Sequence, residues 1–296
     1  MKVKRLLNNF IFTMVLFLSV FIINKKNIFA ATESNITTYL SKNLENQKIA
    51  EYKVNSKLTR AFSVTEVPGY CGDMVFPETS DIMPYRLVGD DNRVTVSNPA
   101  SDPYAHICYI TYTYANGSSV SATGWLAGPD VLVTSGHCVY DGGKGGWIKS
   151  MRVYPGYTKG KTAPFGSANA TTMHVSTAWI DSGGTKNDFA IVQLDRKIGN
   201  NAGYFGYGYG YSLVNKTVRV TGYPGNKVGI MKTSTGKVIN EKTNYFIHAV
   251  DSTGGQSGSP MYKGSVVYGI HSRAYGENNA AARITKQRFD WLNTFR

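Results

Sequence analysis

Ala105-His106-Ile107-Cys108-Tyr109-Ile110-Thr111-Tyr112-Thr113-Tyr114 is a run dominated by β-branched and aromatic side chains, and Asn116-Gly117 follows one residue later. Such side chains suit a pleated, half-buried surface, and Asn-Gly is a strong signal for a tight two-residue hairpin turn. Residues 120–127 read as the returning strand, and Val131-Leu132-Val133-Thr134 as a short buried one. Further short strands are predicted at 151–154, 189–194, 217–222, 237–240, 245–249 and 265–270, punctuated by Gly and Pro. Only the tail, 284–295, spaces its apolar residues helically, with Phe289, Trp291 and Leu292 as the buried face. Many short strands and one terminal helix predict an all-β protein built from β-barrels.

The composition agrees. The chain has 296 residues, 42% of them hydrophobic and 12% aromatic, with 31 Gly and 20 Tyr, enough to bury a sizeable core. The net charge of +13 is uneven: residues 1–30 carry +5, residues 31–86 carry −1 and residues 87–296 carry +9. A basic body attracts anionic surfaces and acidic peptides. No Lys/Arg-dense tract accompanies it, so nucleic acid is not an expected partner.

Residues 1–30 read as a secretory signal. Lys2, Lys4 and Arg5 open it, a 14-residue apolar run spans 10–23, and Ala30-Ala31 supplies small residues for cleavage. That run is short of the roughly 20 residues a membrane helix needs, so no membrane anchor is expected. Residues 31–86 are polar and mixed in charge, with a possible short helix at 41–54 and with Pro68, Pro77 and Pro84 breaking any regular element. They read as a pro-segment removed after export. Cys71 would leave with it, so the mature chain keeps Cys108 and Cys138, whose pairing the sequence leaves open.

Near the C-terminus stands Gly254-Gly255-Gln256-Ser257-Gly258-Ser259-Pro260. A serine among glycines sits on a tight loop whose main chain a substrate carbonyl can approach. The backbone N–H groups of Gly255 and Ser257 are the candidate oxyanion donors. A surface turn is the bland alternative, and it gives way only if a base and an orienting acid exist elsewhere. His137, in Thr134-Ser135-Gly136-His137-Cys138, directly follows a buried strand and suits the base. Asp188, in Asn187-Asp188-Phe189-Ala190-Ile191-Val192, stands at the mouth of an apolar strand and suits the acid. Asp181 and Asp195 compete, but both look like solvated turn residues.

The order His137, Asp188, Ser257, each in its own motif, resembles the chymotrypsin-like serine proteases. Thr123-Gly124-Trp125-Leu126-Ala127-Gly128-Pro129, Gly203-Tyr204-Phe205-Gly206-Tyr207 and Gly222-Tyr223-Pro224-Gly225 are similar to the bacterial glutamyl endopeptidase branch. The resemblance covers essentially all of 87–296. It implies two six-stranded antiparallel β-barrels, at 87–199 and 200–296, the second ending in the terminal helix. His137 and Asp188 would lie on the first barrel and Ser257 on the second. The cysteine that the family often pairs with the one after the catalytic histidine is Ala122 here, so that bridge cannot form.

Two readings of specificity compete. Asp251, six residues before Ser257, matches the acid with which trypsin-like enzymes bind Arg or Lys. His271 and Ser252 match the imidazole and hydroxyl that suit a substrate Glu. The expected protease cleaves after Glu, and less well after Asp. By resemblance, the new N-terminus at Leu87, freed by a cut after Arg86, adds its α-amino charge beside the pocket, while the pro-segment withholds that amine and covers the cleft. A Glu-specific enzyme does not cut after Arg, so an Arg-directed activating protease is implied. The expected enzyme is a secreted monomer acting on polypeptides with no cofactor and no metal. A non-catalytic binding protein on the same fold is the remaining alternative.

Overall fold

The computed structural model describes residues 36–55 and 87–296. The signal peptide, Cys71 and the Arg86 side of the expected cut lie outside them.

The strand Ile107–Thr113 shows how the chain builds its core. Cys108, Ile110 and Tyr112 point into a first barrel, while Ile107 and Tyr109 point the other way into a second apolar cluster. A strand buried on both faces has no polar side to show, which is why its sequence runs apolar without alternation. The returning strand Ser119–Leu126 pairs with it from Thr113 opposite Ser119 to Ile107 opposite Trp125. The turn differs in detail from expectation. Tyr114 N donates to Ser118 O at 2.8 Å across three loop residues, and Gly117 takes φ 93°. This is a three-residue loop with glycine in the left-handed position, and Asn116 caps it by accepting from Ser118 N.

Val131–Thr134, Ser150–Pro155, Ala168–Ser176 and Ala190–Leu194 complete the first barrel, which closes where Ala168–Ser176 pairs with Ala190–Leu194. Thr217–Gly222, Lys232–Glu241, Tyr245–His248, Pro260–Lys263, Val266–Tyr275 and Asn278–Arg283 form the second. It closes where Val266–Tyr275 pairs with Asn278–Arg283. Each barrel is thus a closed, six-stranded antiparallel sheet. Between them lie Tyr109, Trp125, Phe205, Tyr223, Tyr262 and Ile270, all buried. Each such side chain contributes about 1.5–3 kcal/mol by leaving water, so the two barrels are held by a shared core.

The tail helix forms at Lys286–Asn293, with Thr285 Oγ1 accepting from Arg288 N, and buries Phe289, Trp291 and Leu292 as the spacing predicts. No helix among the described residues is long and apolar enough to cross a membrane.

The expected helix at 41–54 is instead a hairpin, Ile36–Asn43 and Ile49–Asn55. Asn43 Oδ1 accepts from Glu45 N and Asn46 N, and Gln47 takes φ 58°, so the chain reverses where a helix would have continued. The first strand extends the first barrel's sheet, with Tyr39 opposite Ser176 and Asn43 opposite Thr172.

Candidate active site

The loop 254–260 folds as its glycines demand. Gly255 and Gly258 have φ of 90° and 85°. A Cβ on Gly255 would overlap Gly225 N and Tyr223 O, and one on Gly258 would overlap Thr123 O and Thr134 Oγ1. Only glycine fits either place. The first barrel grips this loop through Thr123: its N donates to Ser257 O at 3.0 Å and its Oγ1 donates to Gly255 O at 3.0 Å. Tyr223 N donates back to that same Oγ1 at 2.8 Å.

His137 occupies the 3-10 turn Gly136–Cys138, directly after the strand Val131–Thr134. Asp188 ends the turn Thr185–Asn187, just before Ala190–Leu194. Those two strands are neighbours, so their ends present base and acid side by side. His137 Nδ1 lies 2.9 Å from Asp188 Oδ2, and His137 N donates to Asp188 Oδ1 at 2.9 Å. With its proton on Nδ1, the imidazole turns Nε2 to accept from Ser257 Oγ at 2.8 Å. All three residues are buried.

Asp188 also accepts from Ser272 Oγ, and Arg273 Nη2 stands 3.4 Å from its Oδ2. Burial would push its carboxyl up, but His137 beside it, helped by Arg273 and Ser272, holds it well below the usual carboxylate range. It is therefore an anion at any working pH. Asp181 and Asp195 are exposed, and Asp195 is engaged with Asn169, so neither approaches the histidine.

Beyond the serine, His271 and Ser252 are fully buried. Val250 N donates to His248 Nδ1 at 3.3 Å, which puts the His248 proton on Nε2. That nitrogen lies 3.3 Å from His271 Nδ1, so His271 in turn carries its proton on Nε2. Burial pushes both imidazoles down, His248 to about 3, and both are neutral donors rather than cations. Ser252 Oγ has no hydrogen-bond partner among the described residues.

Asp251 is differently employed. Its Oδ1 accepts from Val88 N at 2.6 Å and its Oδ2 from Asn92 N at 3.0 Å. It holds the segment beginning at Leu87 against the second barrel. Arg93 continues that seam, donating through Nη1 to Gln256 Oε1 at 3.1 Å, next to Ser257. Both Asp251 oxygens are therefore engaged by main-chain donors of the segment beginning at Leu87.

Several of these parts carry no local signal. His248 is one residue of an ordinary strand, Thr123 sits inside a quoted motif without a visible task, and Ser272 simply follows His271. Their partners are 84 and 132 residues away, so only the folded chain reveals them. Cys108 and Cys138 are both free and buried.

A barrel pair with a Ser–His–Asp hydrogen-bond chain between its halves defines a class, and comparison with known proteins agrees. Residues 96–292 match the family described as Trypsin, and the chain belongs to that family. It is a serine endopeptidase of chymotrypsin-like fold. Within the family it groups with the bacterial glutamyl endopeptidases: it is 36% identical to the "Glutamyl endopeptidase" of Bacillus licheniformis over 71% of this chain and 69% of that one. It is 31% identical to a Bacillus subtilis protein named "Extracellular metalloprotease", over 72% of this chain and 71% of that one. A solved structure, "Structure of Glu endopeptidase in complex with MPD", superposes with TM-score 0.66 at 32% identity, covering 71% of this chain and 99% of the other. No group of three or more His, Cys, Asp or Glu among the described residues could hold a metal ion.

Proposed function

We propose that this serine endopeptidase cuts peptide bonds after Glu, less readily after Asp, and is exported as a precursor. Ser257 attacks the scissile carbonyl while His137 Nε2 takes its proton and later delivers it to the leaving amine. Asp188 holds the imidazole in the required tautomer and stabilises the imidazolium. The N–H groups of Gly255 and Ser257 receive the oxyanion.

The observation that carries the specificity is the hydrogen-bond chain from Val250 N–H through His248 to His271. It fixes His271 Nε2 as a hydrogen-bond donor, and Ser252 Oγ is a second donor close by in sequence to the nucleophile. A substrate carboxylate accepts from both; an Arg or Lys side chain, which only donates, cannot. The α-amino group of Leu87, once the chain is cut after Arg86, adds a positive charge, supported by the tether of Val88 to Asp251. An Arg-directed protease makes that cut. Export is supported by the charged, then apolar, first 30 residues.

Mapping the cleavage sites on an unfolded protein mixture tests the reading. Cuts after Glu, with fewer after Asp, are expected. Cuts dominated by Arg or Lys would overturn it. N-terminal sequencing of the secreted enzyme is expected to begin at Leu87, and a wild-type precursor that matures alone at Arg86 would remove the second protease from the scheme.

A further inference from the structure

Arg273 has more hydrogen-bonding capacity than the site uses. Its one described carboxylate contact, Nη2 to Asp188 Oδ2, is 3.4 Å long, and Asp188 already accepts from His137 N, His137 Nδ1 and Ser272 Oγ. The Arg273 Nε is buried and has no hydrogen-bond partner among the described residues. A guanidinium carries five donors in a fixed fork, and an unused buried donor is costly. The side chain as a whole is 37% exposed, so a group arriving from solvent meets parts of it other than the buried Nε.

Its orientation is fixed. The guanidinium lies 5.8 Å from the Trp179 ring centre, and Trp179 is anchored by its Nε1 donating to Tyr140 O at 2.9 Å. Trp179 also flanks His137, with ring centres 6.4 Å apart. The fork is therefore held next to the base.

The strand geometry says which part of a substrate passes there. Val266–Tyr275 pairs with Pro260–Lys263 only as far as Ile270. Arg273, Ala274 and Tyr275 pair with Asn278–Arg283 on one edge, and no described strand pairs with their other edge. A peptide adding to that edge as an antiparallel strand, with its scissile residue opposite Ser272 and beside the His271 pocket, runs the preceding residue past Arg273 and the one before it past Ala274.

We propose that Arg273 forms a second acid-binding subsite, taking the side-chain carboxylate of the residue on the amino side of the scissile Glu. The site rests on the Glu reading above only for the identity of the scissile residue. Bidentate pairing with a carboxylate satisfies the fork in a way that the long Asp188 contact does not.

The test uses peptides that share a scissile Glu and differ only in the preceding residue, which is Glu, Gln or Lys. The wild-type enzyme is expected to rank them Glu over Gln over Lys in kcat/KM, by about five- to tenfold per step at low salt. In R273Q the ranking is expected to collapse, and in R273K to survive, whatever happens to the absolute rate. A wild-type enzyme indifferent to that residue would overturn the proposal, as would R273Q slowing all three peptides equally. A second peptide pair, differing only at the scissile residue, reports the Glu pocket separately. Failure of either reading therefore leaves the other's readout intact.

Discussion

Tyr39 lies flat on Trp291, with ring centres 3.7 Å apart and planes 17° from parallel. The two are 252 residues apart in sequence, one in the segment read as a pro-segment and one in the terminal helix. Trp291 Nε1 also donates to Tyr52 Oη at 2.6 Å, so both strands of the hairpin close on one indole. The rest of the docking is strand pairing with Ala168–Ser176 and a bond from Thr177 Oγ1 to Thr38 O. The described part of the segment thus sits on a sheet edge and the terminal helix.

Truncating the anchor should release the hairpin without unfolding the barrels, because they keep their own closed sheets and cores. In a Ser257→Ala precursor, Tyr39→Ala is expected to weaken hairpin docking by about 2–4 kcal/mol. Hydrogen exchange is the measurement. Amides in 36–55 and 172–176 should lose protection, while those in the second barrel should not. Loss of protection throughout the molecule would mean that the hairpin is part of the global fold.

The same interface should open in acid. His174 Nδ1 lies 2.8 Å from Ser41 Oγ and 3.2 Å from Tyr52 Oη, while Nε2 faces Gln193 Oε1 at 3.1 Å and Phe295 covers the ring. Burial pushes the imidazole from 6.5 down to about 4, against its hydrogen bond to Gln193 Oε1, which raises it. A depressed histidine favours the docked state while neutral. Its contribution is therefore full above about pH 6.5 and declines as pH falls towards about 4. Tryptophan fluorescence of the Ser257→Ala precursor should report undocking over that window, and His174→Gln should flatten the response.

Ser257, His137 and Asp188, which the structure brings into one hydrogen-bond chain, were legible because each lies in a local composition signal. Ser257 stands among glycines, and His137 and Asp188 stand at the ends of buried strands. The strands 168–176, 260–263 and 278–283 were not. Asn278–Arg283 contains three consecutive alanines, poor strand formers, which the barrel uses because Ala280, Ala281 and Ala282 are fully buried where larger side chains would not pack. The hairpin was missed because its turn is set by one asparagine side chain, and its strands are stabilised by a helix at the far end of the chain. The tasks of Thr123, Ser272 and His248 are tertiary. Nothing local distinguishes a serine that touches Asp188 from one that faces water.

Ser272 offers a graded probe of the charge relay. Ser257→Ala and His137→Ala should each cost several orders of magnitude in kcat. Ser272→Ala removes only one donor from Asp188, and about a tenfold loss in kcat/KM is expected. The direction on pH is also fixed. With one donor fewer, the carboxylate's charge is left more fully to His137, so the imidazolium is better stabilised and the acid limb of kcat/KM moves to higher pH. An unchanged limb would show that Ser272 acts on packing alone.

Asp251 separates a tether from a specificity residue. Both of its oxygens accept main-chain N–H groups from the segment beginning at Leu87, and Arg93 carries that segment on to Gln256 beside the nucleophile. Asp251→Asn keeps the volume and one accepting oxygen, leaving one of the two donors without its partner. Asp251→Ala orphans both. Val88 is half-buried and Asn92 exposed, so each lost hydrogen bond costs about 0.5–1.5 kcal/mol, and thermal stability should fall in the order wild type, Asn, Ala. Because the segment positions both Leu87 and the Gln256 loop, kcat/KM for Glu peptides should fall in the same order, by about tenfold or more for Ala. A pocket acid behaves differently. Its loss would abolish cleavage after Arg and Lys while sparing stability, so a wild-type activity on Arg peptides that vanishes in Asp251→Asn without a change in melting temperature would return Asp251 to the pocket.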